Sequence, residues 1–85
     1  GAGGQNVYVR QVGEALARLG WRVDMFTRQI AADQQTIVQH TPNCRTIRLQ
    51  AGPLEHIGRD DLFPHLPEFV DRFLRFQHDE RTIYP

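Results

Sequence analysis

Residues 1–28 read GAGGQNVYVRQVGEALARLGWRVDMFTR, and this stretch decides the fold. Tyr8, Val9, Val12, Ala15, Leu16 and Leu19 recur at the spacing of one helical face, while Arg10, Glu14 and Arg18 fall elsewhere. The spacing predicts a helix over Asn6–Leu19, started by Asn6 or a nearby glycine. Gly20 can take the left-handed conformation that closes a last helical turn, and is the natural stop. Trp21–Thr27 alternates and then ends apolar, as a strand in a mostly buried sheet does. Helix, glycine and strand in direct succession are the αβ half of a βαβ unit, so the fold class is α/β.

Working outward, Arg28–Gln35 is polar and reads as a loop. Thr36–His40 and Cys44–Leu49 read as two short strands around the turn Thr41-Pro42-Asn43. They could pair as a hairpin or take separate partners. Ala51-Gly52-Pro53 breaks the pattern, and Leu54–Gly58 is loop. Pro64 and Pro67 split the apolar series Leu62, Leu66, Phe69, Val70, Phe73 and Leu74. A short turn near Arg59–Phe63 is expected, followed by a helix from Pro67, where proline suits the first position. Arg81–Tyr84 looks like a strand just beginning. A glycine-rich opening without a strand before it, and a strand onset at the end, predict a piece of a domain. Such a piece would be marginally stable, with an exposed apolar sheet edge.

Composition excludes several function classes. Of 85 residues, 40% are hydrophobic and 24% charged, and ten basic side chains balance ten acidic ones. That balance disfavours a nucleic-acid module. Every basic residue is arginine, so lysine chemistry is ruled out within these residues. No apolar run approaches the roughly 20 residues of a membrane helix. The single cysteine, Cys44, forbids an internal disulfide and fits a reducing, cytoplasmic setting. Four scattered histidines give no metal spacing, and no metal or cofactor is expected. Cys44 reads as a small buried residue, Trp21 as core edge, and Phe63, Phe69, Phe73 and Phe76 as core.

The glycine pair Gly3-Gly4 at a helix start is the most informative feature. Glycine lets a backbone approach a ligand, and a helix start presents free N–H groups with a partial positive charge. That suits a phosphate or carboxylate; a plain tight turn is the alternative. Asn6 stands where a dinucleotide fingerprint needs its third glycine, and Thr27-Arg28 offers no acidic residue for a ribose, so a dinucleotide dehydrogenase is disfavoured. Gln5 and Asn6 could hydrogen-bond sugar hydroxyls, or cap the helix and face solvent. Arg59 precedes Asp60-Asp61 and reads first as a surface arginine paired with one of them. Arg28, ending a buried strand, lies where open α/β sheets gather ligands.

Taken together, Gly3-Gly4-Gln5-Asn6-Val7-Tyr8-Val9, Ala15–Gly20 and Val23–Arg28 resemble the amino-terminal domain of retaining glycosyltransferases of family 4, closest to the bacterial branch that makes sucrose phosphate. A second block, Ala51-Gly52-Pro53 with Arg59–Leu66 and Glu68-Phe69, resembles the same family's next motif, in order. The resemblance implies a GT-B architecture of two Rossmann-like domains. Residues 1–85 would be part of the acceptor-binding domain, lacking its first strand and its later part. It implies transfer of glucose from a nucleotide sugar, UDP-glucose, to fructose 6-phosphate without a catalytic metal. Gly3 and Gly4 would approach the donor diphosphate, and Gln5 and Asn6 the acceptor hydroxyls. Arg59 stands where the family usually has lysine and would hold the acceptor phosphate. No catalytic side chain falls within these residues, so the isolated chain is expected to be inactive. Another sugar or an inositol phosphate as acceptor is the nearest alternative. A non-catalytic α/β interaction module is the alternative from another class.

Overall fold

Gly20 ends the first helix as its position requires. Its φ is +96°, its N–H donates to the Ala17 carbonyl at 3.0 Å, and the next N–H, of Trp21, donates to Leu16 at 3.2 Å. This pair of bonds closes the last orphan carbonyls of the turn in a Schellman cap. Trp21 is consumed by the cap, so the following strand begins at Val23 rather than at Trp21. The indole is 65% exposed, not core edge.

The computed structural model describes the backbone of residues 2–80 and the side chains of residues 9–80. The elements are helix α1 (Ala2–Arg18), strands β1 (Val23–Arg28), β2 (Ile37–Thr41) and β3 (Cys44–Leu49), and helix α2 (Arg59–Leu62). A 3-10 turn, Phe63–His65, then leads into helix α3 (Leu66–Asp79). The strand expected at Arg81–Tyr84 lies outside the described residues. α1 starts at Ala2, earlier than the expected Asn6. Glycine costs a helix only about 1 kcal/mol against alanine, which does not stop a nucleated helix from running back through Gly3 and Gly4.

The sheet order is β1-β3-β2. β2 and β3 form an antiparallel hairpin in the register Ile37↔Ile47, Val38↔Thr46 and Gln39↔Arg45, with an irregularity between Gln39 and Thr41. β3 also pairs with β1. Val23 N–H donates to the Asn43 carbonyl and Gln29 N–H to that of Leu49, the constant offset of a parallel pair. The two middle strands therefore pair with each other, and one of them also joins the first strand.

The chain divides into two units, Gly1–Thr27 with Gln35–Ile47, and Arg28–Gln34 with Arg48–Pro85. In the first, α1 meets β1 through small residues. Gly13 is buried; a Cβ there would lie 2.9 Å from Met25 Sδ and 3.4 Å from Val23 Cγ1. Ala17, one turn on, is also buried, with Cys44 and Ile47 in the same unit. The stripe Val9, Val12, Leu16 and Leu19 expected to face the core is instead exposed. Large side chains there would hold the helix off the strand at the distance Gly13 permits. In the second unit, Leu49 and Ala51 are buried, while Phe63, Leu66, Val70 and Leu74 are exposed. Phe63 thus leaves the expected core, whereas Phe69, Phe73 and Phe76 are half-buried. Pro64 and Pro67 behave as expected, each standing in the first positions of its turn or helix.

Candidate functional site

The carboxyl ends of β1 and β3 lie side by side in the second unit, joined by the Gln29–Leu49 bond of 2.8 Å. Arg28 projects from this end. Its guanidinium donates from Nη1 to the Ala51 carbonyl at 3.2 Å and to the Pro53 carbonyl, and from Nη2 to the Glu55 carbonyl. Among the described residues Arg28 makes no ion pair. The expected ligand arginine is therefore occupied by the backbone of the Ala51–Glu55 loop.

The same loop is held from α3. Gly52 has φ +72°, a conformation that glycine adopts without strain. Its N–H donates to Glu68 Oε1 at 2.5 Å. Its open side is packed by the His65 ring, whose Cγ lies 2.7 Å from where a Cβ would be. His65 is thus a wall against Gly52 and makes no side-chain capping bond.

Arg59 opens α2 and is exposed. Among the described residues it forms no ion pair, with Asp60 and Asp61 or with any other carboxylate. The surface-pair reading of Arg59 is overturned, and its charge is available. Gly3, Gly4, Gln5 and Asn6 belong to the first unit, within the first turns of α1, and Arg59 belongs to the second. The side chains of Gln5 and Asn6 lie outside the described ones. The first turn of α1 carries no acidic residue, so nothing on its own sequence neutralises the partial positive charge of its free N–H groups.

Two arrangements escaped the sequence reading. Arg45 holds Asp24 with Nε at 2.7 Å from Oδ1 and Nη2 at 3.1 Å from Oδ2. Asp24 and Arg45 each stand second in their strands, so a parallel neighbour relation was written in the matching positions of opposite charges. His40 has Nε2 2.7 Å from Thr46 Oγ1. A polar depression of about 80 Å³ lined by Arg22, Asp24, Gln39, Pro42, Asn43 and Arg45 sits at the amino ends of β1 and β3. Open α/β sheets bind ligands at the other, carboxyl, ends. Burial, reinforced by the Glu14 charge, pushes the Cys44 thiol up, so Cys44 is a core residue and no nucleophile. Among the described residues no cluster could hold a metal ion, and no helix is long and apolar enough to cross a membrane.

A helix laid on a parallel strand pair, with glycines at its start and a fastened loop at the strand ends, defines an α/β domain of the Rossmann-like type. The Glycosyl transferase 4-like domain family matches residues 3–82, and the chain belongs to that family. It is 39% identical over 83 residues to the D-inositol 3-phosphate glycosyltransferase of Corynebacterium kroppenstedtii, covering 98% of this chain and 18% of that protein. The enzyme of the same description from Corynebacterium efficiens is 41% identical over 75 residues, 88% of this chain and 18% of the relative. Among solved structures, the sucrose-phosphate synthase of Thermosynechococcus elongatus superposes with a TM-score of 0.83 at 55% identity, over 87% of this chain and 18% of that one. The chain thus spans about a fifth of the length of these relatives, and its fold is that of the amino-terminal domain of a GT-B transferase.

Proposed function

We propose that the chain forms part of the acceptor-binding domain of a cytoplasmic glycosyltransferase that moves glucose from UDP-glucose to fructose 6-phosphate, with retention of configuration, giving sucrose 6-phosphate. The observation that carries this reading is the 55% identity to a sucrose-phosphate synthase, against 39% and 41% to inositol phosphate transferases. In this reading the N–H groups at Gly3 and Gly4 face the donor diphosphate, whose charge the uncompensated end of α1 stabilises. Gln5 and Asn6 meet acceptor hydroxyls. Arg59, unpaired and always charged, holds the acceptor phosphate, which a planar guanidinium can bind through two parallel bonds.

The many inositol phosphate transferases among the relatives favour a second reading, with an inositol phosphate as acceptor. Both readings require a phosphate contact and differ in the ring that bears it. The test is steady-state turnover of the full-length protein with UDP-glucose and, in turn, fructose 6-phosphate, fructose and inositol 3-phosphate. Fructose 6-phosphate is expected to give the highest kcat/KM. A preference for inositol phosphate would replace the first reading with the second. Arg59→Ala is expected to raise KM for the phosphorylated acceptor about 10- to 100-fold, the loss of a charge-assisted hydrogen bond. An unchanged KM would remove Arg59 from the site.

A further inference from the structure

Arg28 and Arg45 are both arginines of the sheet, yet their surroundings differ. Arg45 is neutralised by a carboxylate, Asp24. Arg28 is spent on backbone carbonyls of one loop, at Ala51, Pro53 and Glu55. A planar fork with five donors can serve three carbonyls along a turn of chain in one fixed geometry. Four residues beyond Glu55 comes Arg59. On its other flank the chain returns at once to the same loop, because His65 packs on Gly52 and Glu68 accepts the Gly52 N–H. The segment that carries Arg59 is therefore pinned before and after it, with Arg28 as the pin on the strand side. α2 has no capping side chain of its own to fix it.

We propose that Arg28 is a positioning residue: by gathering the carbonyls of Ala51, Pro53 and Glu55 it sets the place from which Arg59 grips the anionic group of the acceptor. This rests on Arg59 being the phosphate contact. Arg28 itself touches no substrate. Its contribution is to hold Arg59 within the narrow geometry that a bidentate phosphate contact demands. A misplacement of about 1 Å at such a contact costs up to about 100-fold.

The experiment is steady-state kinetics of the full-length protein with fructose 6-phosphate and with fructose, using Arg28→Met, Arg28→Lys, Arg59→Ala and the double variant Arg28→Met/Arg59→Ala. Arg28→Met is expected to raise KM for fructose 6-phosphate by about tenfold, with turnover of fructose and KM for UDP-glucose unchanged. In the Arg59→Ala background the same change is expected to add nothing, because both act through one contact. Arg28→Lys keeps the charge and loses the fork. It is expected to give part of the same KM rise, and it carries the test if Arg28→Met does not fold. A wild-type KM in Arg28→Lys, or full additivity with Arg59→Ala, overturns the positioning role while leaving Arg59 in place. A wild-type KM in Arg59→Ala overturns the phosphate reading and the positioning role with it.

Discussion

Replacing Gly52 with alanine is expected to cost the protein about 2–5 kcal/mol, from two separable sources. The backbone at Gly52 has φ +72°, where an L-residue is disfavoured by about 1–2 kcal/mol. The new Cβ would then lie 2.7 Å from His65 Cγ and 2.9 Å from Cδ2 and Nδ1. Carbon atoms prefer about 3.5–4.0 Å, so ring or loop must retreat by about 1 Å. The ring lies between the two prolines that open the 3-10 turn and α3, so the retreat disturbs that junction, an overpacking cost of about 1–3 kcal/mol. Gly20 is the internal control: φ is +96° with nothing within 4 Å of its Cβ position, so Gly20→Ala registers the backbone cost alone. Thermal melts and urea titrations of the two variants, with Gly52→Ala/His65→Ala beside them, separate the contributions. A loss of stability lowers Tm in proportion, so Gly52→Ala is expected to melt below the wild type and further below it than Gly20→Ala. The double variant recovers the contact share when each is compared with its own background. Equal melting of Gly52→Ala and Gly20→Ala would refute the packing of His65 on Gly52 as the reason for glycine there.

Two further outcomes follow from the first unit. With side chains 5% and 16% exposed, Asp24 and Arg45 form a nearly buried pair. Arg45→Met alone is expected to cost about 3 kcal/mol by leaving a carboxylate buried, and Asp24→Leu/Arg45→Met together less than that; urea unfolding decides. Cys44 is buried and its thiol is pushed up by desolvation first and by Glu14 second, so the reactive thiolate is disfavoured. Iodoacetamide is expected to label the native protein about 100-fold more slowly than the urea-unfolded chain, and comparable rates would show that Cys44 is accessible.

Much of the fold was legible where one residue imposes one conformation. Gly20 announced the helix stop, Pro42-Asn43 the turn, and Pro64 and Pro67 the interruption between α2 and α3. What failed was reading which apolar residues face inward. The stripe from Val9 to Leu19 has the right period, yet α1 meets its strand through Gly13 and Ala17, because close approach rewards absent side chains rather than large ones. The period of a helix identifies a face and not its distance from the neighbour. The candidate site was half legible. Arg28 was singled out as a ligand arginine by its place at a strand end, but its partners are carbonyls, which leave no trace in side-chain sequence. Arg59 next to two aspartates looked neutralised, and only the geometry shows that neither reaches it.

The carbonyl grip of Arg28 carries a consequence for how this stretch of chain tolerates variation. Every residue but proline offers the same N–H, and every residue offers the same carbonyl, so the hold on residues 53 and 55 is indifferent to which side chains stand there. Pro53, Leu54 and Glu55 are all exposed. Their identities are free to drift, and exchange of Leu54 or Glu55 for polar residues leaves the grip intact. The number of residues is not free. Inserting or deleting one between Ala51 and Glu55 moves each carbonyl out of step with the guanidinium, so beyond Gly52 the loop is strict in length and permissive in composition.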